Sequence, residues 1–223
     1  MPSRLLLSLA VAALTLASSR PLAADDAPQF PQPGSTVPGS FTALVLNGSW
    51  KDADGKPVDR FHSLVTHFGL RPTFMVLAKD ARDEAVWNFL KKLEAKTRAD
   101  KDVYLSGFAV FLSHDDLRDS TEATPRKLID AANAREALVE ELKEKTRSAG
   151  LKNILVGIGP PDGPKGFPID KKADVTVVVY YRFKVAASYG LGKGELNDET
   201  TGKIFGEVDR LVADLRKAAA AKK

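Results

Sequence analysis

Residues 60–72 read RFHSLVTHFGLRP and bring a serine, a threonine and two of the chain's three histidines into one short stretch, with Asp59 just before it. Phe61, Leu64, Val65 and Phe68 recur at i, i+3, i+4 and i+7, a spacing that predicts a helix over 58–69. On such a helix Asp59, Ser63 and His67 share a face. They have the composition of a hydrolytic triad but not its wiring. Histidine must stand between serine and acid, taking the proton from one while the other fixes its tautomer. Here serine is the middle member, and no G-x-S-x-G elbow exposes it. The stretch therefore reads as the polar face of an amphipathic helix. A non-thiol enzyme site near His62 and His67 is kept as the alternative.

Metal binding is tested by the same spacing. His62 and His67 are five residues apart, which on a helix points them in different directions, whereas i, i+4 aims two imidazoles at one ion. Asp59 and His62 are better placed at i, i+3, and His114-Asp115-Asp116 closes a later strand, but these spacings support neither a metal nor a cofactor. Gly157-Ile158-Gly159 follows a strand and runs into Pro160-Pro161, so no helix opens to hold a pyrophosphate. Gly190-Leu191-Gly192-Lys193-Gly194 does precede a helix. Its N–H groups could hold an anion, or it is a turn followed by an Asn197 or Asp198 cap. The Asn47-Gly48-Ser49 sequon implies a surface loop and nothing more.

The chain has no cysteine. Thiol peroxidase chemistry, thiol–disulfide exchange and thiolate metal binding each need a sulfur that is absent. An enzyme of another kind is left open, with no catalytic residue assigned.

The N-terminus has one cation, Arg4, an apolar run from Leu5 to Ala17, and small residues at Ala23 and Ala24. This is the layout of a secretory signal peptide over 1–24, and the run is too short to span a bilayer. The expectation is an exported protein, periplasmic or extracellular, with no membrane span after signal removal. Without Arg4 and Arg20, 31 basic residues face 29 acidic ones. Nucleic acid is not an expected partner, because binding it needs cations clustered on one face.

The remaining chain supplies the elements that must position these residues. DDAPQFPQPGSTVPGS (25–40) reads as a flexible leader. A single domain then runs over 41–219, with a frayed tail at 220–223. Strands are expected at 41–46, 73–79, 103–113, 153–159, 175–181 and 184–190, and helices at 58–69, 82–98, 125–148 and 196–219. Thr124 and Pro125 mark one helix start, and Gly150 its end. Strands alternating with helices predict an α/β three-layer sandwich with a mostly parallel sheet. The two-residue link Arg182-Phe183 predicts an antiparallel hairpin at one edge.

From Thr73 onward this order resembles the thioredoxin-like superfamily in its redoxin or peroxiredoxin form. The segment ILVGIGPPDGPKGFPIDKKADVTVVVYYRFKVAASY carries most of the likeness, which covers roughly two-thirds of the chain. The domain is also similar to uncharacterised secreted bacterial thioredoxin-like proteins in which a C-x-x-C pair precedes Tyr-Gly or Phe-Gly and a proline. In SLVTHFGLRP, Ser63 and Thr66 stand where those cysteines would be, and Gly69 and Pro72 are kept. In a thioredoxin the redox pair opens the helix after the central strand. Here that place reads AKDARDEAV, with Ala81 and Glu84 where sulfurs would lie, and Val175 replaces the proline before the first hairpin strand. The resemblance implies a thioredoxin-like domain that binds an unidentified protein or small molecule, or serves as a scaffold module of the cell envelope, without thiol redox chemistry.

Overall fold

A computed structural model of the chain describes residues 30–51, 54–55, 59–112, 124–163 and 167–221. Among the described residues, seven strands and four α-helices follow in order: β1 (Thr42–Val45), β2 (Arg60–Ser63), α1 (Leu64–Phe68), β3 (Thr73–Ala78), α2 (Glu84–Ala99), β4 (Ser106–Leu112), α3 (Pro125–Ser148), β5 (Ile154–Gly159), β6 (Val175–Tyr181), β7 (Lys184–Leu191) and α4 (Asp198–Ala220). The seven strands form one sheet in the order β2-β1-β5-β4-β3-β6-β7. Every residue of β3 and β4 is buried, as continuous apolar runs in the middle of a sheet require.

The pleat splits those runs between two cores. Phe74, Val76 and Ala78 face α2, α3 and α4, packing with Phe89, Leu93, Leu142 and Val208. Met75 and Leu77 face the other way, toward Leu64, Val65 and Phe68 of α1 and the irregular segments carrying Phe41 and Phe167. Among the described residues the helical cover is thus unequal, with three long helices on one face and one short helix on the other.

The mostly parallel sheet predicted from the alternation is corrected. Only β3–β4 and β4–β5 pair parallel. β1–β2, β1–β5, β3–β6 and β6–β7 are antiparallel, so the sheet is mixed. A helix intervenes where the chain crosses over in parallel, through α2 and α3. Between β5 and β6 no helix lies among the described residues, and the returning strand runs antiparallel. The five strands from β3 to β7 do form one sheet with the final hairpin antiparallel, as expected.

The helix predicted over 58–69 is also corrected. Residues 60–63 pair with β1, from Thr42 opposite Ser63 to Val45 opposite Arg60, and only 64–68 are helical. Leu64, Val65 and Phe68 are buried as a helical stripe should be, while Phe61 lies on the strand and is 53% exposed. Cross-strand hydrogen bonding has overridden a local period, because a helix this short has little stability of its own. Likewise β4 begins at Ser106 rather than 103, after a 3-10 turn at Lys101–Val103 and a left-handed Tyr104.

Two local devices set the rest. Arg182 and Phe183 both have positive φ, as a two-residue hairpin of the favoured hand demands. Phe183 is fixed by its N–H donating to the Gly69 carbonyl (3.2 Å) and its carbonyl accepting from Val37 (2.7 Å). Gly69 has negative φ, so it is needed for space rather than conformation: a Cβ there would lie 2.2 Å from the Phe183 ring. Within the expected leader, Gly34, Ser35 and Val37 hydrogen-bond to Val185 and Phe183 at the β7 edge, and Val37 is buried.

Candidate functional site

The turn from β3 into α2 is where the thioredoxin-like resemblance places a redox pair. Lys79 to Asp83 form a closed turn: the Arg82 N–H donates to Asp80 Oδ1 (2.8 Å), and Asp83 caps α2 by accepting from the Ala85 N–H (2.9 Å). Ala81 is buried, with its carbonyl taken by Trp87 Nε1–H at 2.9 Å. Glu84 is exposed and lies 3.4 Å from Lys145, whose ammonium stands over the Trp87 ring. Arg82 is paired with Glu141 at 3.2 Å. The two positions expected to bear sulfur thus hold a buried methyl and an ion-paired carboxylate. Neither is a nucleophile of the kind that redox step uses.

The residues of the opening stretch are assembled differently from a helical wheel. His62 on β2 and His67 on α1 meet, with His62 Nε2 3.1 Å from His67 Nδ1, so one ring carries the shared proton. The divergence expected of residues five apart on one helix is removed because the chain changes from strand to helix between them. Trp50 packs against both, its ring 4.9 Å from His62 and 6.3 Å from His67, and Phe68 meets His67 edge-on at 4.7 Å. Burial, then the neighbouring charges of His62 and Arg71, hold the His67 imidazole below its ordinary 6.5.

The remaining candidates do not join this pair. Asp59 is 2.8 Å from Lys143 of α3. Ser63 stands at the N-cap of α1 without capping it, and its Oγ is buried with no hydrogen-bond partner among the described residues. Thr66 is exposed, and its hydroxyl donates to the Ser63 carbonyl at 3.1 Å. Among the described residues Ser63 makes no hydrogen bond to a histidine, so no base is placed to activate it. Among the described residues, no group of three or more His, Cys, Asp or Glu side chains is placed to hold a metal. His114-Asp115-Asp116 lies outside the described residues.

The glycine clusters have structural roles. Gly157 lies in β5 with the Leu44 backbone so near that a Cβ would be 3.0 Å from its carbonyl oxygen. The Gly192 N–H donates to Glu195 Oε2 (2.7 Å), and Asn197 caps α4 by accepting from Thr200 (3.0 Å). The place open to an anion is occupied by the chain's own carboxylate.

Sequence reasoning missed Glu94. It lies on the buried side of α2, where its carboxylate accepts from the N–H groups of Lys152, Asn153 and Ile154 (3.1, 2.9 and 3.1 Å) and from Arg98 (3.0 Å). The signal was an acid next to Leu93 in the apolar stripe. Trp50 gives no such signal, since nothing local ties it to two histidines twelve and seventeen residues on.

No protein-family model and no curated protein matches the chain. Solved structures do. Peroxidoxin BcpB from Mycobacterium tuberculosis is 12% identical, with 84% of this chain and 97% of that one covered at a TM-score of 0.48. The thiol peroxidase from Chromobacterium violaceum is 12% identical, with 82% and 91% covered at 0.45. The thioredoxin domain of a thiol-disulfide oxidoreductase from Bacteroides vulgatus is 16% identical, with 77% and 96% covered at 0.42.

Proposed function

We propose that this chain is an exported binding module of thioredoxin-like architecture that acts without thiol redox chemistry. One observation carries the reading: at the turn where that architecture would place its redox pair, Ala81 is buried under Trp87 and Glu84 is paired with Lys145, in a chain with no cysteine at all. The scaffold is retained and the site chemistry is not, and function follows the site rather than the fold. Export is supported by the short apolar run at Leu5–Ala17 and the Ala23-Ala24 end. No helix among the described residues is long and apolar enough to cross a membrane. The partner is a protein or a small molecule of the compartment outside the inner membrane, or the module is a scaffold of the cell envelope.

The contact of His62 and His67 beside Trp50 favours a second reading, a non-thiol enzyme whose site includes that pair. The purified protein should leave dithiothreitol-driven insulin reduction and peroxide consumption at background rates, and protein from the native host should begin near Asp25. Photo-crosslinking in intact cells should then trap a stoichiometric partner. Turnover of any substrate that disappears in His67→Gln would overturn the binding reading in favour of the enzyme. An intact Met1 on the native protein would overturn export.

A further inference from the structure

A cleft of about 230 Å³ opens at the N-terminal ends of β3 and β4, walled by Phe68, Arg71, Lys101, Tyr104 and Leu105. The cations just before it on α2 are neutralised, Lys96 by Asp100 (2.7 Å) and Arg98 by Glu94 (3.0 Å). Arg71 and Lys101, both exposed, form no ion pair among the described residues. The uncharged polar side chains at the back are already engaged. Thr97 donates to the Glu94 carbonyl (2.9 Å), Ser106 to the Tyr104 carbonyl (2.9 Å), and Asn153 Nδ2 to Glu94 Oε1 (2.8 Å).

Tyr104 supplies the second feature. Its backbone is left-handed, with φ 59° and ψ 33°, a costly conformation for a bulky residue that persists only where the surroundings impose it. The Tyr104 N–H bonded to the Lys101 carbonyl (3.1 Å) and the Leu105 N–H bonded to Asp100 (3.4 Å) impose it here. The result is a phenol 69% exposed at the mouth of the cleft, with the Arg71 guanidinium 6.0 Å from the ring centre. What the cleft has to offer a ligand is therefore two charged donors and the exposed ring of Tyr104, with the edge of buried Phe68 in its wall.

We infer that this cleft binds a small organic anion, a carboxylate on a flat apolar body. Arg71 and Lys101 take the carboxylate and Tyr104 covers the body. The volume falls below the usual range for drug-sized ligands, which limits the guest to about one ring. A guanidinium matches a planar carboxylate through paired N–H donors, and an aromatic wall discriminates a flat body from a bare ion. The inference deepens the binding-module reading and rests on it.

Titration with benzoate, followed by backbone amide shifts, tests it, with benzyl alcohol and sodium sulfate as the neutral and the bodiless controls. Benzoate should saturate shifts at residues 69–71, 101–106 and 153, and both controls should bind at least about 10-fold more weakly, the cost of losing a charge-assisted contact or the stacked body. Arg71→Gln and Lys101→Gln should each weaken benzoate by about 10-fold or more. Tyr104→Asn should weaken it while keeping the fold, because asparagine tolerates the left-handed backbone. No saturation by benzoate, sulfate binding as tight as benzoate, or unchanged affinity in Arg71→Gln would each overturn the inference. None of those results bears on whether crosslinking traps a protein partner, so the two readings fail separately.

Discussion

At the scale of single residues, the opening stretch divides by burial. Ser63 Oγ is buried and unbonded, so Ser63→Ala removes an unsatisfied hydroxyl and should be neutral or stabilising by up to about 1 kcal/mol. Phe61 is 53% exposed, and Phe61→Ala should cost less than about 1 kcal/mol. Phe68 is buried against Phe108, with the rings stacked at 5.9 Å, and Phe68→Ala should cost about 3 kcal/mol or more. A helix through 58–69 would have made the two phenylalanines equivalent, so urea denaturation of the three variants separates the two structures. His67 adds a pH dependence. Its folded-state value is depressed below 6.5 by burial and by the charges of His62 and Arg71. Its contribution is therefore present above 6.5 and is lost as pH falls through the depressed value, because the unfolded chain takes up the proton first. The urea midpoint should drop between about pH 7.5 and about pH 5, and His67→Gln should flatten that drop. An equal drop in the variant would assign the acid sensitivity elsewhere.

Between elements, Glu94 joins α2 to the start of β5. Its carboxylate is 4% exposed and gathers three consecutive backbone N–H groups together with Arg98 and the Asn153 amide. Glu94→Ala would leave the Ile154 amide, which is buried, without an acceptor, and would leave Arg98 with its 3.4 Å bond to the Gly150 carbonyl but no carboxylate. The expected cost is about 2–4 kcal/mol by urea denaturation, from unmade hydrogen bonds and the small void. Faster amide exchange should appear first at 152–154. A loss below about 1 kcal/mol, within the range of ordinary surface changes, would show that water replaces the carboxylate at no great cost. Position 94 follows Leu93 in a stripe that alternates correctly for a helix, so the stripe was legible. Its purpose was not, because the partner amides lie nearly sixty residues on.

For the molecule as a whole, the segment before β1 is part of the fold. Gly34, Ser35 and Val37 hydrogen-bond at the β7 edge, Thr36 bridges Lys184, and Val37 and Phe41 are buried in the α1-side core. A chain beginning at Asp25 should unfold at the same urea midpoint as the full chain. One beginning at Thr42 loses two buried side chains, each worth about 1.5–3 kcal/mol, and uncovers a strand edge prone to pairing with other chains. A lower midpoint and increased light scattering are expected, and an unchanged midpoint would show that the segment merely rests on the surface. The sequence by itself determined the central strands, the three long helices with the Thr124 cap of one of them, the final hairpin and the absence of any thiol. Each of these is written in local apolar runs, capping residues or plain composition, and needs no distant partner to be read. Only the tertiary structure decided that the sheet is mixed, that residues 60–63 are a strand, that His62 and His67 touch beneath Trp50, and that Arg71 and Tyr104 wall a common cleft. These depend on which backbone groups find each other across the sheet, and pairing between segments far apart in the chain leaves no period in either one.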